Sequence, residues 1–73
     1  MDFPVVDLKA TGQKICRLMD SRGLTVKEIS EMSGLTIHSI YHWQYGMCLP
    51  AIDNLVILSS ILGVTMDEIV VTR

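Results

Sequence analysis

Two histidines, His38 and His42, stand four residues apart in the stretch TIHSIYHWQYG, and they carry the widest chemical repertoire in this chain. On a helix, positions i and i+4 share one face. A neutral imidazole donates from one nitrogen and accepts at the other, so the pair can bond a base edge or a phosphate. Protonating both would bring the formal net charge from -2 to zero. The pair can also chelate a metal, with Cys48 near in sequence, but no motif fixes an acidic or thiol ligand. No metal and no other cofactor is expected. The plain alternative is two solvated polar residues on an exposed face. Ile37 and Tyr41 beside them are less expected towards solvent. They suit either a thymine methyl and a phosphate or base edge, or an apolar patch for a protein partner. Asp53, Asp67 and Glu68 are placed to cap helices, and no Ser/His/Asp or Cys/His arrangement or glycine-rich phosphate loop is present. The chain is not expected to be an enzyme.

The elements that must position these side chains lie in Thr25 to Gly46, which reads as two short helices meeting at Gly34. Ile29 and Met32 precede the break at helical spacing. Ile40 and Trp43 follow it, with Leu35 beside the turn. Trp43 is thereby assigned to the core. One local device occurs three times: an apolar residue, a capping threonine and an apolar residue four past the cap, in Leu24-Thr25-Ile29, Leu35-Thr36-Ile40 and Val64-Thr65-Ile69. This is the hydrophobic staple, and Glu28 and Glu68 add capping boxes to two of the three. Helix starts are therefore expected at Thr25, Thr36 and Thr65. At Thr36 the partner position holds Ser39 instead of an acid, which suits an approach to phosphates.

Elsewhere, residues 1–10 (MDFPVVDLKA) read as an N-terminal arm, since Pro4 breaks helix and Val5-Val6 favour extended backbone. The arm either lies on the core or pairs with its twin in a dimer. Residues 11–73 form the rest of the domain. A first helix is expected over Thr11 to Arg22 with Ile15, Leu18 and Met19 inward, stopping at Gly23. A fourth helix is expected to begin near Pro50, with Asp53 in its first turn and a buried stripe of Ile52, Leu55, Leu58 and Leu62 flanked by Val56 and Ile61. A short fifth runs from Thr65 to about Val70. The fold class is all-α: five helices in one small domain.

With 73 residues, 49% apolar and 19% charged, the chain can bury one modest core. Such cores give little net stability, and dimerisation would add to it. The net charge of -2 and a pI of about 5.4 argue against a strongly basic nucleic-acid binder, while leaving room for a local patch. Cys16 and Cys48 form no metal-type pair and read as reduced thiols. Apolar runs fall short of the ~18 residues of a membrane helix. A cytoplasmic chain without membrane contact is expected.

In order and spacing, RGLT before the second helix, Ile40-x-x-Trp43-x-x-Gly46, LP-x-x-x-N-L from Leu49 to Leu55, and LGV-T-x-DEI from Leu62 to Ile69 resemble the XRE family of lambda-repressor-like helix-turn-helix regulators. The resemblance spans about residues 12 to 69. It implies a transcriptional regulator whose third helix, 36–45, enters the major groove of double-stranded DNA, as a homodimer on a palindromic operator with half-sites ~34 Å apart. By position, the base-reading side chains would be Thr36, Ile37, His38, Tyr41 and His42. Backbone contacts would come from Thr25 and Lys27 at the second helix, from Ser39, and from Lys14 at the start of the first. The chain departs from the family in its charges. Val26 stands where a phosphate-bonding Gln is common, the third helix has no Arg or Lys, and the MCLP loop is not basic. Each lost phosphate contact lowers affinity and flattens the salt dependence. The alternative within the same fold is a protein-interaction module, an antitoxin or anti-regulator using the third-helix face.

Overall fold

A computed structural model describes residues 3–73; Met1 and Asp2 of the expected arm lie outside the described residues. Five helices follow one another: α1 (Leu8–Ser21), α2 (Val26–Ser33), α3 (Ile37–Gln44), α4 (Ile52–Leu62) and α5 (Met66–Ile69). The three capping threonines stand where the staples put them, each just before its helix in extended backbone. At α2 the box is reciprocal: the Glu28 N–H donates to the Thr25 hydroxyl at 3.1 Å and the Thr25 N–H to the Glu28 carboxylate at 3.1 Å. At α5 the Thr65 N–H donates to Glu68 at 3.3 Å. A cap of this kind is typically worth ~1 kcal/mol.

The first helix begins earlier than expected, at Leu8. Asp7 is its cap, accepting from the Ala10 N–H at 2.9 Å. Thr11, taken from the sequence as the helix start, is instead buried one turn inside it. Its hydroxyl accepts from the Val71 N–H at 3.0 Å and faces the Val71 carbonyl at 3.4 Å. The extended part of the arm is thus shorter. It lies on the chain's own C-terminal tail, with Val6 bridged antiparallel to Thr72 and the Asp7 N–H donating to Val71 at 2.8 Å.

The core is Ile15 and Met19 of α1, Ile29 of α2, Ile40 and Trp43 of α3, Leu55, Leu58 and Leu62 of α4, and Ile69 of α5. Two expected core positions are not in it. Ile52 is 68% exposed, because the α4 stripe runs out at the first residue of that helix. Met32 is 62% exposed. Three residues on from Ile29 it has rotated off the buried face, and Ser33 turns inward instead, its hydroxyl donating to the Ile29 carbonyl at 2.6 Å. Val56 is also exposed, while Leu18 and Ile61 flank the core as half-buried residues.

The broadest contact between helices is that of α1 with α3. It is close because position 12 is glycine. A Cβ there would stand on the Trp43 carbonyl oxygen and 2.5 Å from that of Gln44. Ala in place of Gly gains up to ~1 kcal/mol of helix propensity. Two backbone oxygens cannot swing aside as a side chain would, so the clash wins. Gly12→Ala should lower stability by about 1–3 kcal/mol, seen as a fall in thermal midpoint of at least about 5 °C. An unchanged or higher midpoint would mean the two helices stand farther apart.

Candidate nucleic-acid interface

The turn between α2 and α3 is built from short polar side chains and one left-handed residue. Gly34 ends α2 at φ +78°, a conformation costly for any residue with a Cβ. The Ser30 hydroxyl donates to the Leu35 carbonyl at 2.5 Å, and the Leu35 N–H donates to the Ser33 hydroxyl at 3.1 Å. Two serines of α2 therefore hold the entry to α3. Thr36 caps α3, its hydroxyl accepting from the Ser39 N–H at 3.1 Å and donating to the Ser39 hydroxyl at 2.9 Å.

From that anchor α3 divides sharply. Ile40 and Trp43 point into the core, and Gln44 reaches Met19 of α1, its amide 3.2 Å from the sulfur. Thr36, Ile37, His38 and Tyr41 face solvent, and His42 is half-buried. The imidazoles of His38 and His42 are 4.1 Å apart between centroids and tilted by 56°. The Tyr41 and Tyr45 rings lie nearly parallel, 6.0 Å apart. These four rings and Met47 line an open groove of about 390 Å³ along the outer face.

A helix-turn-helix family model matches residues 14–69, most of the chain and all of this arrangement. The chain belongs to this family. Its fold is the lambda-repressor-like, XRE-type one that the motifs imply. Among solved structures, this helix-turn-helix protein is similar to the restriction-modification controller protein C.AhdI from Aeromonas hydrophila. The TM-score is 0.80 at 24% identity, over 86% of this chain and 96% of that one. It is similar to the S. venezulae BldD DNA-binding domain with a TM-score of 0.76 at 20% identity, over 88% and 96%. The clp gene regulator ClgR from C. glutamicum gives 0.73 at 18%, over 84% and 79%. At these identities the likeness is one of fold. No curated protein sequence matches the chain significantly.

Within the helix-turn-helix domain, Thr36, Ile37, His38, Ser39, Tyr41 and His42 are gathered on α3 and its cap. Thr25 and Lys27 are exposed at the start of α2. Lys14 is placed differently. Because Asp7 caps α1, Lys14 lies mid-helix and half-buried, without the helix N-terminus beside it that a start at Thr11 would have given. Tyr45 and Met47 are 68% and 65% exposed on the same groove and were not singled out. Tyr45 stands four residues past Tyr41 and continues the same outer face, a signal that spacing offers, whereas Met47 lies in the loop after α3. The roles of Ser30 and Ser33 were missed too, although small hydroxyls flanking a hinge glycine are a usable signal.

Among the described residues no group of three or more His, Cys, Asp or Glu gathers at one point, and no helix is long and apolar enough to cross a membrane. The two thiols differ in access. Cys48 is exposed in the loop after α3, whereas Cys16 is half-buried in α1. Burial pushes the Cys16 thiol up and the Asp20 carboxylate adds to the shift, against a smaller opposing backbone hydrogen bond. A raised thiol pKa leaves less thiolate at any given pH, and the thiolate is the nucleophile. Maleimide at pH 7 should label Cys48 first, and the labelling rate of Cys16 should climb only as pH rises further. Peptide mapping after timed quenching checks the order, and equal rates at both cysteines would contradict it.

Proposed function

We propose that this protein is a sequence-specific DNA-binding transcription regulator, acting in the cytoplasm as a homodimer. In this reading α3 lies in the major groove of a palindromic operator. The observation that carries it is the division of α3. Ile40 and Trp43 anchor the helix from behind, leaving Thr36, Ile37, His38, Tyr41 and His42 outward on a rigid rod. A groove-reading helix needs its outer face free and its orientation fixed. Family membership supports the reading, as do structural neighbours described as a controller protein, a DNA-binding domain and a gene regulator.

In this reading His38 and His42 bond base edges, Ile37 meets a thymine methyl, and Tyr41 bonds a base edge or phosphate. Thr25, Lys27 and Ser39 hold the DNA backbone, and the mid-helix Lys14 makes at most an outlying contact. With no lysine or arginine on α3, phosphate contacts are few and the salt dependence is shallow for a repressor-like domain.

A second reading is favoured by one observation. Ile37, Tyr41, Tyr45 and Met47 are exposed apolar or aromatic residues on one face that carries no fixed positive charge. That face suits a protein partner, and the chain would then be an antitoxin-like or anti-regulator module.

Selection from a random duplex pool, followed by affinity measured against salt, separates the two. A selected palindrome is expected. His42→Ala should relax preference at one base pair by ~1–3 kcal/mol, while Lys27→Ala should weaken all sequences alike and reduce the salt slope by about 1. No enrichment even at low salt, with a protein partner co-purifying, would overturn the DNA reading. Both variants binding every duplex like the parent would overturn the assignment of residues.

A further inference from the structure

We propose that His38 and His42 form a copper(II)-binding site on the outer face of α3. The sequence supplied the two imidazoles at i and i+4 but no third ligand. The structure adds their mutual geometry and their surroundings.

A ring nitrogen binds a divalent transition metal at about 2.0 Å, which puts the ion about 3.2 Å from each ring centroid. Two imidazoles on one ion at a right angle then have centroids about 4.5 Å apart, and at a tetrahedral angle about 5.2 Å apart. The rings of His38 and His42 are 4.1 Å apart and tilted by 56° rather than stacked face to face. Only a small opening is needed for the right-angled arrangement, and a larger one for the tetrahedral arrangement. Right-angled nitrogen donors with the remaining positions left to water suit tetragonal copper(II) first and nickel(II) second, while zinc prefers the tetrahedral angle. The affinity order of the first-row divalent ions also peaks at copper.

The surroundings agree. The groove beside the pair is open, about 390 Å³, so an ion can enter with its waters. Its wall includes Met47, whose thioether suits at most a weak, long axial position on copper(II). No Lys or Arg stands on α3 to repel a cation. This site does not depend on the DNA reading, since it needs only the helix and its exposed face.

The test uses the full chain carrying Cys48→Ser, which removes the exposed thiol that would otherwise reduce copper(II). Calorimetric titration with CuCl2 should give one ion per chain, and the electron paramagnetic resonance spectrum should show coupling to two nitrogens. His38→Gln and His42→Gln should each weaken binding on the order of 100-fold, because losing one arm of a chelate forfeits its effective concentration. Both side chains lie outside the core, and circular dichroism verifies that each variant keeps its helices. Nickel should bind more weakly than copper, and zinc more weakly still. Copper held equally well by the double variant, or a spectrum with one nitrogen or none, would mean adventitious copper only and overturn the site.

Discussion

At Gly12 only a hydrogen atom separates α1 from the carbonyl oxygens that close α3, and the rest of the molecule is arranged around that approach. An isolated helix of eight residues is not stable in water, so α3 exists because something holds it. What holds it is α1. Ile15 and Met19 share one buried cluster with Ile40 and Trp43, Gln44 reaches the Met19 sulfur, and the helix backbones approach closely at Gly12. The same close contact fixes which side of α3 is left for solvent. Orientation of the outer face is therefore a consequence of packing on the inner one.

The second constraint is local. Ser30 and Ser33 tie the end of α2 to Leu35 at the entry to α3 with side-chain-to-backbone hydrogen bonds, and Gly34 supplies the left-handed turn between them, so the two helices form a rigid corner. A rigid corner matters more than usual here because the outer face has no fixed charge. Long-range attraction to a polyanion is weak for a chain of net charge -2, and discrimination then falls to short-range hydrogen bonds and apolar contacts. Those lose value steeply with small errors in position, so the backbone supplies accuracy where electrostatics supplies little.

Much of this was legible in the sequence because its strongest signals are local. Threonine caps, their staples and the glycine stop at Gly34 depend on residues within five positions of one another, and all three caps stand where they were read. The Ile40 and Trp43 pair was equally clear from spacing. The misreadings arose where a distant segment decides. Thr11 reads as the first residue of helix one, but it lies a turn inside it with its hydroxyl serving Val71, sixty residues away, and Asp7 caps the helix. Ile52 and Met32 fit apolar periodicity, yet no neighbour covers them, and periodicity does not know where a partner helix ends. The outer face of α3 was read from the positions that the family resemblance implies and from the four-residue spacing of His38 and His42. Its extension to Tyr45 was open to the same spacing, four residues past Tyr41, whereas Met47 lies in a loop with no period to follow.

The Thr11 to Val71 clasp sets the order in which the chain can assemble. The corner of α2 and α3 closes over a few residues and costs little chain entropy. The clasp closes a loop of sixty, and that cost grows with the logarithm of length, recovered only once α1 and the tail are both in place. With the Val6–Thr72 bridge and the Asp7–Val71 bond it forms the seam of longest reach in the described chain, the contact whose closure costs the most chain entropy. Native-state hydrogen exchange at the Val71 amide reads this terminal seam, and exchange at the amides of α3 reads the core to which Ile40 and Trp43 belong.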